Sequence, residues 1–246
     1  MSPVGPIQVV TATTTAPEIV CAFEGGICHI EINRPDKRNA LTMPMFVALA
    51  ESREDVKAVL VTGTGQAFCA GHDLQAFAEW PQGCHDPLPR FLHTIAETRK
   101  PLVLAVHGSA AGIGVTWMLH ADWVMCGPDA VLRLPFVDLA IAPDSASSML
   151  LARAIGLQRA RRLLMGGEPF TGKQAHEWGV VTELAEANQV RVTAWQRARM
   201  LAAKDAHALR QIESWLHPAG AYTAQIDTEI AAINEAVLRR SSDQPN

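Results

Sequence analysis

The sequence predicts an α/β domain built around buried parallel strands. Three observations lead there. Residues 58–62 (Ala-Val-Leu-Val-Thr) and Leu102–Val106 are uninterrupted apolar runs of strand length, the pattern of strands covered on both faces. Each run stops at a glycine turn, Gly63 in the first case and His107-Gly108 in the second. Helix-like stretches lie between these and other short strand candidates, an alternation expected of β-α-β crossovers rather than of a sandwich. With 246 residues, 48% of them hydrophobic and 19% charged, the chain can bury one sizeable core, with or without a small appendage.

The elements follow in order. Residues 1–17, which include a Thr/Ala run, are expected to form a loose N-terminal segment. Residues 18–23 and Ile27–Ile32 read as two strands joined by Glu24-Gly25-Gly26, a hairpin signal. Asn33-Arg34-Pro35-Asp36 breaks that pattern. Thr42 is placed to cap a short helix over 44–51, whose first turn tolerates Pro44 because that position needs no backbone donor. After the strand at 58–62 a helix is expected over 90–98, and after Leu102–Val106 another over 114–120. Short strands at Trp123–Cys126 and 131–134 and a helix over 145–154 come next. From about Gly167 onward helix patterns dominate, at 172–178, 189–203, 206–215 and 221–239, with no further good strand. The expected organisation is an α/β core over 18–185 and a helical C-terminal region over 186–246 that serves oligomerisation.

Charge and composition remove several function classes. The formal net charge is −4, and the basic residues are scattered apart from pairs such as Arg161-Arg162 and Arg239-Arg240, so no nucleic-acid footprint is present. No apolar run approaches the ~20 residues that cross a bilayer, and the N-terminus lacks a signal-peptide pattern. Cys21, Cys28, Cys69, Cys84 and Cys126 form no C-x-x-C pair and no Cys/His spacing suited to zinc. Reduced thiols in a cytoplasmic protein, without a metal, are the expectation. No repeat of 20–50 residues suggests a solenoid or propeller.

Two glycine-rich segments carry the chemistry. The first is Gly63-Thr64-Gly65-Gln66-Ala67-Phe68-Cys69-Ala70-Gly71-His72-Asp73-Leu74, and the second His107-Gly108-Ser109-Ala110-Ala111-Gly112-Ile113-Gly114-Val115-Thr116. Glycine permits positive φ and close approach of a ligand to the backbone. The second segment leads into an apolar helix, whose first N–H groups have no internal partner and lie at the positive end of its dipole. Two such turns converging would make an oxyanion hole. A lone glycine turn between strand and helix more often serves packing, and neither segment is a Walker loop or a dinucleotide fingerprint. Spacing alone supports a ligand-binding α/β domain.

Longer motifs narrow this. Asn33-Arg34-Pro35-Asp36-Lys37-Arg38-Asn39-Ala40-Leu41 resembles the "NRP-x-x-x-NAL" segment of the crotonase (enoyl-CoA hydratase/isomerase) superfamily. Residues 67–74 resemble its "AF-x-AG-x-DL" motif, and residues 100–114 its "KP-x-x-A-x-x-G-x-A-x-G-x-G" motif. Glu177-Trp178-Gly179-Val180-Val181 resembles its later "A-x-x-x-GLV" stretch. These matches run in order from about residue 18 to about 185 and weaken in the helical tail. The resemblance implies a spiral of β-β-α units, an acyl-CoA thioester as substrate, a homotrimer or dimer of trimers, and no metal or redox cofactor. It puts the oxyanion donors at the backbone N–H groups of His72 and Ile113, with the His72 imidazole a neutral spectator. It lines the coenzyme A path with Arg38, Ala40, Leu41, Ala70, Gly71, Asp73 and Leu74, where Asp73 orders its turn.

The reaction depends on carboxylates. The two glutamates of family hydratases would fall at Thr116 and Phe136, and neither residue can act as a general base. Residues 134–148 instead resemble the "PF-x-x-LGL-x-PE/D-x-x-SS" segment of Δ3,Δ2-enoyl-CoA isomerases, which puts a single general base/acid at Asp144. On spacing alone Asp144 reads as the cap of a helix starting near Ser145. The resemblance makes it the base, and Asp138 a structural or surface residue. An alternative uses Asp144 as the nucleophile of an aryl-CoA dehalogenase, with His93 ahead of the Lys-Pro strand, although that enzyme's pocket tryptophan would fall near Phe136. A third reading is a catalytically weak acyl-CoA-binding protein.

Overall fold

The computed structural model describes residues 16–50, 56–217 and 220–243. Most of the predicted loose segment, residues 1–15, and the last residue of the predicted first helix, Glu51, lie outside them.

The chain starts with the expected hairpin. Strand β1 (Ile19–Glu24) pairs antiparallel with β2 (Ile27–Ile32), Ile19 opposite Ile32. Gly25 and Gly26 both take positive φ, +59° and +83°, the conformation a two-residue hairpin turn demands. Helix α1 (Met43–Ala50) and strand β3 (Ala58–Gly63) follow, β3 lying parallel to β2. Helix α2 (Pro87–Glu97) starts three residues earlier than the apolar pattern predicts, with proline in its first turn. It buries Leu88, Phe91, Leu92 and Ile95, one face at helical spacing.

Strand β4 (Leu102–Val106) is parallel to β3 and fully buried, and β5 (Ser109–Ala111) leaves it for a second sheet. The helix expected over 114–120 is a single α-turn, α3 (Ile113–Thr116), which tightens into a 3-10 turn at Trp117–His120. Strands β6 (Trp123–Cys126) and β7 (Val131–Arg133) come next. Helix α4 (Ser147–Ile155) begins two residues later than predicted, because Ser145 and Ala146 stand in the left-handed region at φ +61° and +54°. Helix α5 (Leu157–Gly166), absent from the sequence prediction, is set off from α4 by Gly156 at φ +80°.

The tail is not free of strands, as the sequence had suggested: β8 (Phe170–Thr171) and β9 (Glu183–Leu184) bracket α6 (Gly172–Glu177). Each is two residues long, too short for a side-chain period to register. Helices α7 (Val190–Ala202), α8 (Ala206–Leu216) and α9 (Ala221–Asp243) complete the chain.

The main sheet runs β1-β2-β3-β4-β6-β9, parallel from β2 onward, and the second runs β5-β7-β8. On one face of the main sheet α1, α2 and the second sheet close a large core that also takes in Tyr222, Ile226, Ile230 and Ile233 of α9. On the other face Val190, Ala194, Ala198 and Ala202 of α7 lie over Leu60, Val103, Ala105 and Met125. The four-residue spacing of small side chains lets that helix sit close to the strands. Within 186–246, therefore, α7 and α9 pack on the core. Among the described residues no helix is long and apolar enough to cross a membrane. All five cysteines are free.

Candidate active site

The site is assembled where β3 and β4 end. Asn39, fully buried at φ +59°, fastens the first glycine turn. Its side-chain amide donates to Thr64 O (2.9 Å) and Ala67 O (2.7 Å), while its Oδ1 accepts from Arg34 N (2.9 Å). Asparagine tolerates positive φ better than most side chains, which explains its place between Arg38 and Ala40. Arg34 closes the other side, donating to Ala40 O (3.1 Å) and Asp73 Oδ2 (2.6 Å). Asp73 also accepts from Gln75 N (3.0 Å), and the guanidinium beside it holds its carboxyl below the usual range. Asp73 thus orders its turn.

The two turns are bonded to one another. Phe68 N donates to His107 O (3.1 Å) and Ser109 O (2.9 Å), and Ala111 N donates to Cys69 O (3.0 Å). Glycine is required for this approach. A Cβ on Gly114 would lie 2.5 Å from Cys69 O, and one on Gly71 would lie 2.9 Å from Ala111 O and 3.9 Å from Gly112 Cα. His72 and Ile113 each sit one residue beyond this contact. Leu41 spends both backbone groups on the first turn, N–H to Gly71 O and C=O from Asp73 N, each 2.8 Å. In such a parallel bridge the middle residue, His72, points its own N–H to the opposite side. Ile113 opens α3, so its N–H has no partner within the helix. A helix of one α-turn offers little dipole, so what this end presents is the N–H group itself.

The His72 ring packs edge-on to Phe46 (5.3 Å) and beside Trp80 (6.1 Å), and burial pushes its pKa down to about 4, leaving it neutral. Of the residues expected along the coenzyme A path, Arg38 and Leu74 are exposed, Ala40, Ala70 and Asp73 partly so, and Gly71 is buried. Leu41 is fully buried in the core, so its side chain is turned away from solvent.

Asp144 lies across the site, 9% exposed. Its Oδ1 accepts from Thr116 Oγ1 (2.7 Å) and Ser145 Oγ (3.0 Å), and those two hydroxyls are themselves 2.9 Å apart. Burial raises its pKa, and the two hydroxyls pull the other way. Among the described residues no Lys or Arg pairs with it. The helix-cap alternative fails on geometry: α4 starts from Ala146, and the Asp144 side chain caps nothing. Asp138 instead pairs with Arg133 (2.8 Å) on the surface. His93 Nε2 donates to Asp227 Oδ1 of α9 (2.9 Å), and Phe136 is buried.

Sequence reasoning missed three side chains here. Thr116 registered only as a lost carboxylate, and Ser145 not at all. Glu229 of α9 is buried (4% exposed) and accepts from Ala146 N (2.7 Å) and Ser148 Oγ (2.5 Å). An acid interrupting the apolar stripe Ile226, Ile230, Ile233 was the signal that could have found it. Among the described residues no group of His, Cys, Asp or Glu is placed to hold a metal ion.

Residues 22–240 match the family model described as enoyl-CoA hydratase/isomerase. The chain belongs to that family. It is 31% identical, over 92% of this chain and 91% of the relative, to 1,2-epoxyphenylacetyl-CoA isomerase of Escherichia coli K12. It is 28% identical, over 83% of this chain and 79% of the relative, to 4-chlorobenzoyl coenzyme A dehalogenase-2 of an Arthrobacter species. The solved enoyl-CoA hydratase/isomerase of Pseudoalteromonas atlantica T6c superposes with a TM-score of 0.84 at 29% identity, over 89% of this chain and 91% of that one. The fold is accordingly the crotonase fold, and this crotonase is an acyl-CoA enzyme. Its relatives are named for different reactions, so the choice among them rests on the side chains around Asp144.

Proposed function

We propose that this crotonase moves a double bond in an acyl-CoA thioester, converting a 3-enoyl to a 2-enoyl chain. Asp144 takes a proton from the carbon alpha to the thioester, the electrons pass into a dienolate, and the same carboxyl returns the proton to the gamma carbon. The backbone N–H groups of His72 and Ile113 would hold the oxyanion between these transfers, each donor being worth ~3 kcal/mol in comparable sites. The supporting observation is the buried Asp144 carboxylate, whose Oδ1 accepts from the hydroxyls of Thr116 and Ser145, with threonine and phenylalanine at the two positions where family hydratases carry glutamates. Desolvation raises a carboxylate toward the pKa of a useful base. One carboxyl group suffices for a proton shuttle, whereas hydration also needs water to be activated and oriented. We further propose a homotrimer or dimer of trimers without metal or redox cofactor, which light scattering and elemental analysis check.

The test is incubation with 3-enoyl-, 2-enoyl- and aryl-CoA thioesters in D2O, followed by mass spectrometry. Expected are 2-enoyl product, deuterium at the alpha and gamma carbons, and little 3-hydroxy product from crotonyl-CoA. Asp144→Asn should lower turnover by about two orders of magnitude or more, with thioester binding largely intact. Near-parental turnover in that variant would remove Asp144 from the chemistry. Hydration at the rate of a dedicated hydratase would sink the isomerase reading, and absence of any alpha exchange would leave an acyl-CoA-binding protein. Chloride release from a chloroaryl-CoA would favour the dehalogenase reading. That reading is weakened by His93, whose ring is committed to Asp227. Asp227 lies two residues, about 200° around α9, from the Glu229 side that meets the Asp144 turn.

A further inference from the structure

The turn that carries Asp144 is an unusual thing for the backbone to hold. Ser145 and Ala146 stand side by side in the left-handed region, at φ +61° and +54°, without a glycine between them. Such conformations persist only where the surroundings over-determine them. Helix α4 offers no help of its own, since its cap residue Ala146 has no side-chain acceptor for the first amides. The acceptor comes from 83 residues away: Glu229 takes a hydrogen bond from Ala146 N at 2.7 Å. It also accepts from Ser148 N (3.3 Å) and Ser148 Oγ (2.5 Å), and Gln225, one turn earlier on α9, donates to Ser148 Oγ (3.1 Å).

We propose that Glu229 is a positioning residue for the general base: from α9 it fixes the turn over residues 145–148, and through that turn the aim of the Asp144 carboxylate. This rests on the reading of Asp144 as the base. The link is short. Ser147 N donates to Asp144 O (2.9 Å) and Ser145 Oγ donates to Asp144 Oδ1 (3.0 Å), so a shift of the turn moves both ends of Asp144. On its other side Ser145 O is held by the ring of His120 (2.7 Å). The two acids also sense one another electrically. Burial raises the Glu229 carboxyl to about 7, and the charge of Asp144 adds to that rise. A buried acid with this placement caps the turn in trans, doing for α4 what a local Ser or Asp ordinarily does.

The experiment compares Glu229→Ala, Glu229→Gln, Asp144→Asn and the Asp144→Asn/Glu229→Ala double variant. Each is read for kcat and KM with a 3-enoyl-CoA and for alpha-proton exchange, after circular dichroism has checked the fold. Glu229→Ala should lower kcat by roughly 10- to 100-fold, the usual cost of a misaimed group, and change KM by less than about threefold. Glu229→Gln keeps an acceptor oxygen and should recover most of that loss. In the Asp144→Asn background Glu229→Ala should cost nothing further. Parental kcat in folded Glu229→Ala overturns the proposal. So does an equal loss in both backgrounds, since Glu229 would then act independently of the base. If Glu229→Ala does not fold, Ser148→Ala is read instead: a severalfold loss in kcat alone supports the role, and an unchanged kcat overturns it. Parental turnover in Asp144→Asn by itself strikes at the base assignment, whereas an inactive Asp144→Asn beside a fully active Glu229→Ala strikes only at the positioning role.

Discussion

Two hydroxyls decide how useful a buried carboxylate can be. Burial drives the Asp144 pKa upward, and the hydroxyls of Thr116 and Ser145 restrain that rise. Thr116→Val removes one donor at nearly constant volume. That donor is one of the groups holding the Asp144 pKa down, so without it the pKa should rise further, with Ser145 still in place. In the proposed reaction Asp144 works ionised. The acid limb of the kcat/KM profile should therefore move to higher pH, with a greater loss of rate at pH 6 than at pH 8. An unmoved limb would mean that Thr116 does not touch the working carboxylate. Asp144 was legible in the sequence because it follows Pro143 in a contiguous motif. Thr116 was legible only as something missing, since its partner lies 28 residues on. Glu229 was out of reach for the same reason on a larger scale: sequence patterns report neighbours along the chain, and its partners lie 81 to 83 residues away.

At the scale of elements, the site depends on how closely two turns can approach. The extended apolar runs β3 and β4 announced themselves, and so did the glycines that end them. What the glycines were for needed three dimensions: Gly114 is small because Cys69 O lies where its Cβ would be. Gly114→Ala should cost about 1–3 kcal/mol of stability and a larger share of activity, because the Ile113 N–H sits next to the displaced atoms. Gly25→Ala is the control. Open space surrounds its Cβ, but φ +59° strains it, so about 1 kcal/mol should be lost with turnover unchanged. Thermal unfolding and turnover on the two variants check both statements. Equal activity losses would detach the turn contact from catalysis. The single α-turn of α3 was not legible, because so short a largely apolar stretch fits an α-helix and a 3-10 turn about equally well.

For the molecule as a unit, burial sets opposing proton balances. His29, His72 and His120 are each pushed down to about 4, mainly by desolvation. They stay neutral in the fold while the unfolded chain takes up protons below pH 6.5, so their contribution to stability falls as pH drops from about 6.5 toward 4. Glu229, raised to about 7, works in the other direction: its contribution is full below about pH 4.5 and falls as pH rises toward 7. Urea unfolding at pH 5 and pH 6.5 separates them. His120→Asn should lose less stability on acidification than the parent, and Glu229→Gln should lose less on the return to pH 7. Identical pH slopes in the parent and both variants would refute the assignment of these groups. The order of the layers was partly legible, since the sheet and α2 follow side-chain period. Of the second sheet only β7 was legible, at the strand expected over 131–134; β5 and β8 are three and two residues long.

Three of the ties that α9 makes have a bearing on time. Asn234 exchanges two hydrogen bonds with Gln82, Asp227 pairs with His93, and Glu229 holds the residues next to Asp144. A ribosome adds about 5–20 residues per second, so Glu229 is made roughly 4 to 17 s after Ala146. During that interval a nascent chain can build its main sheet and bring its glycine turns together. Its acidic turn is then held only from the side of Thr116 and His120, without the Glu229 acceptor. On the proposed reading of Asp144 and Glu229, a chain that has yet to make α9 holds its glycine turns together but lacks the acceptor that aims its base.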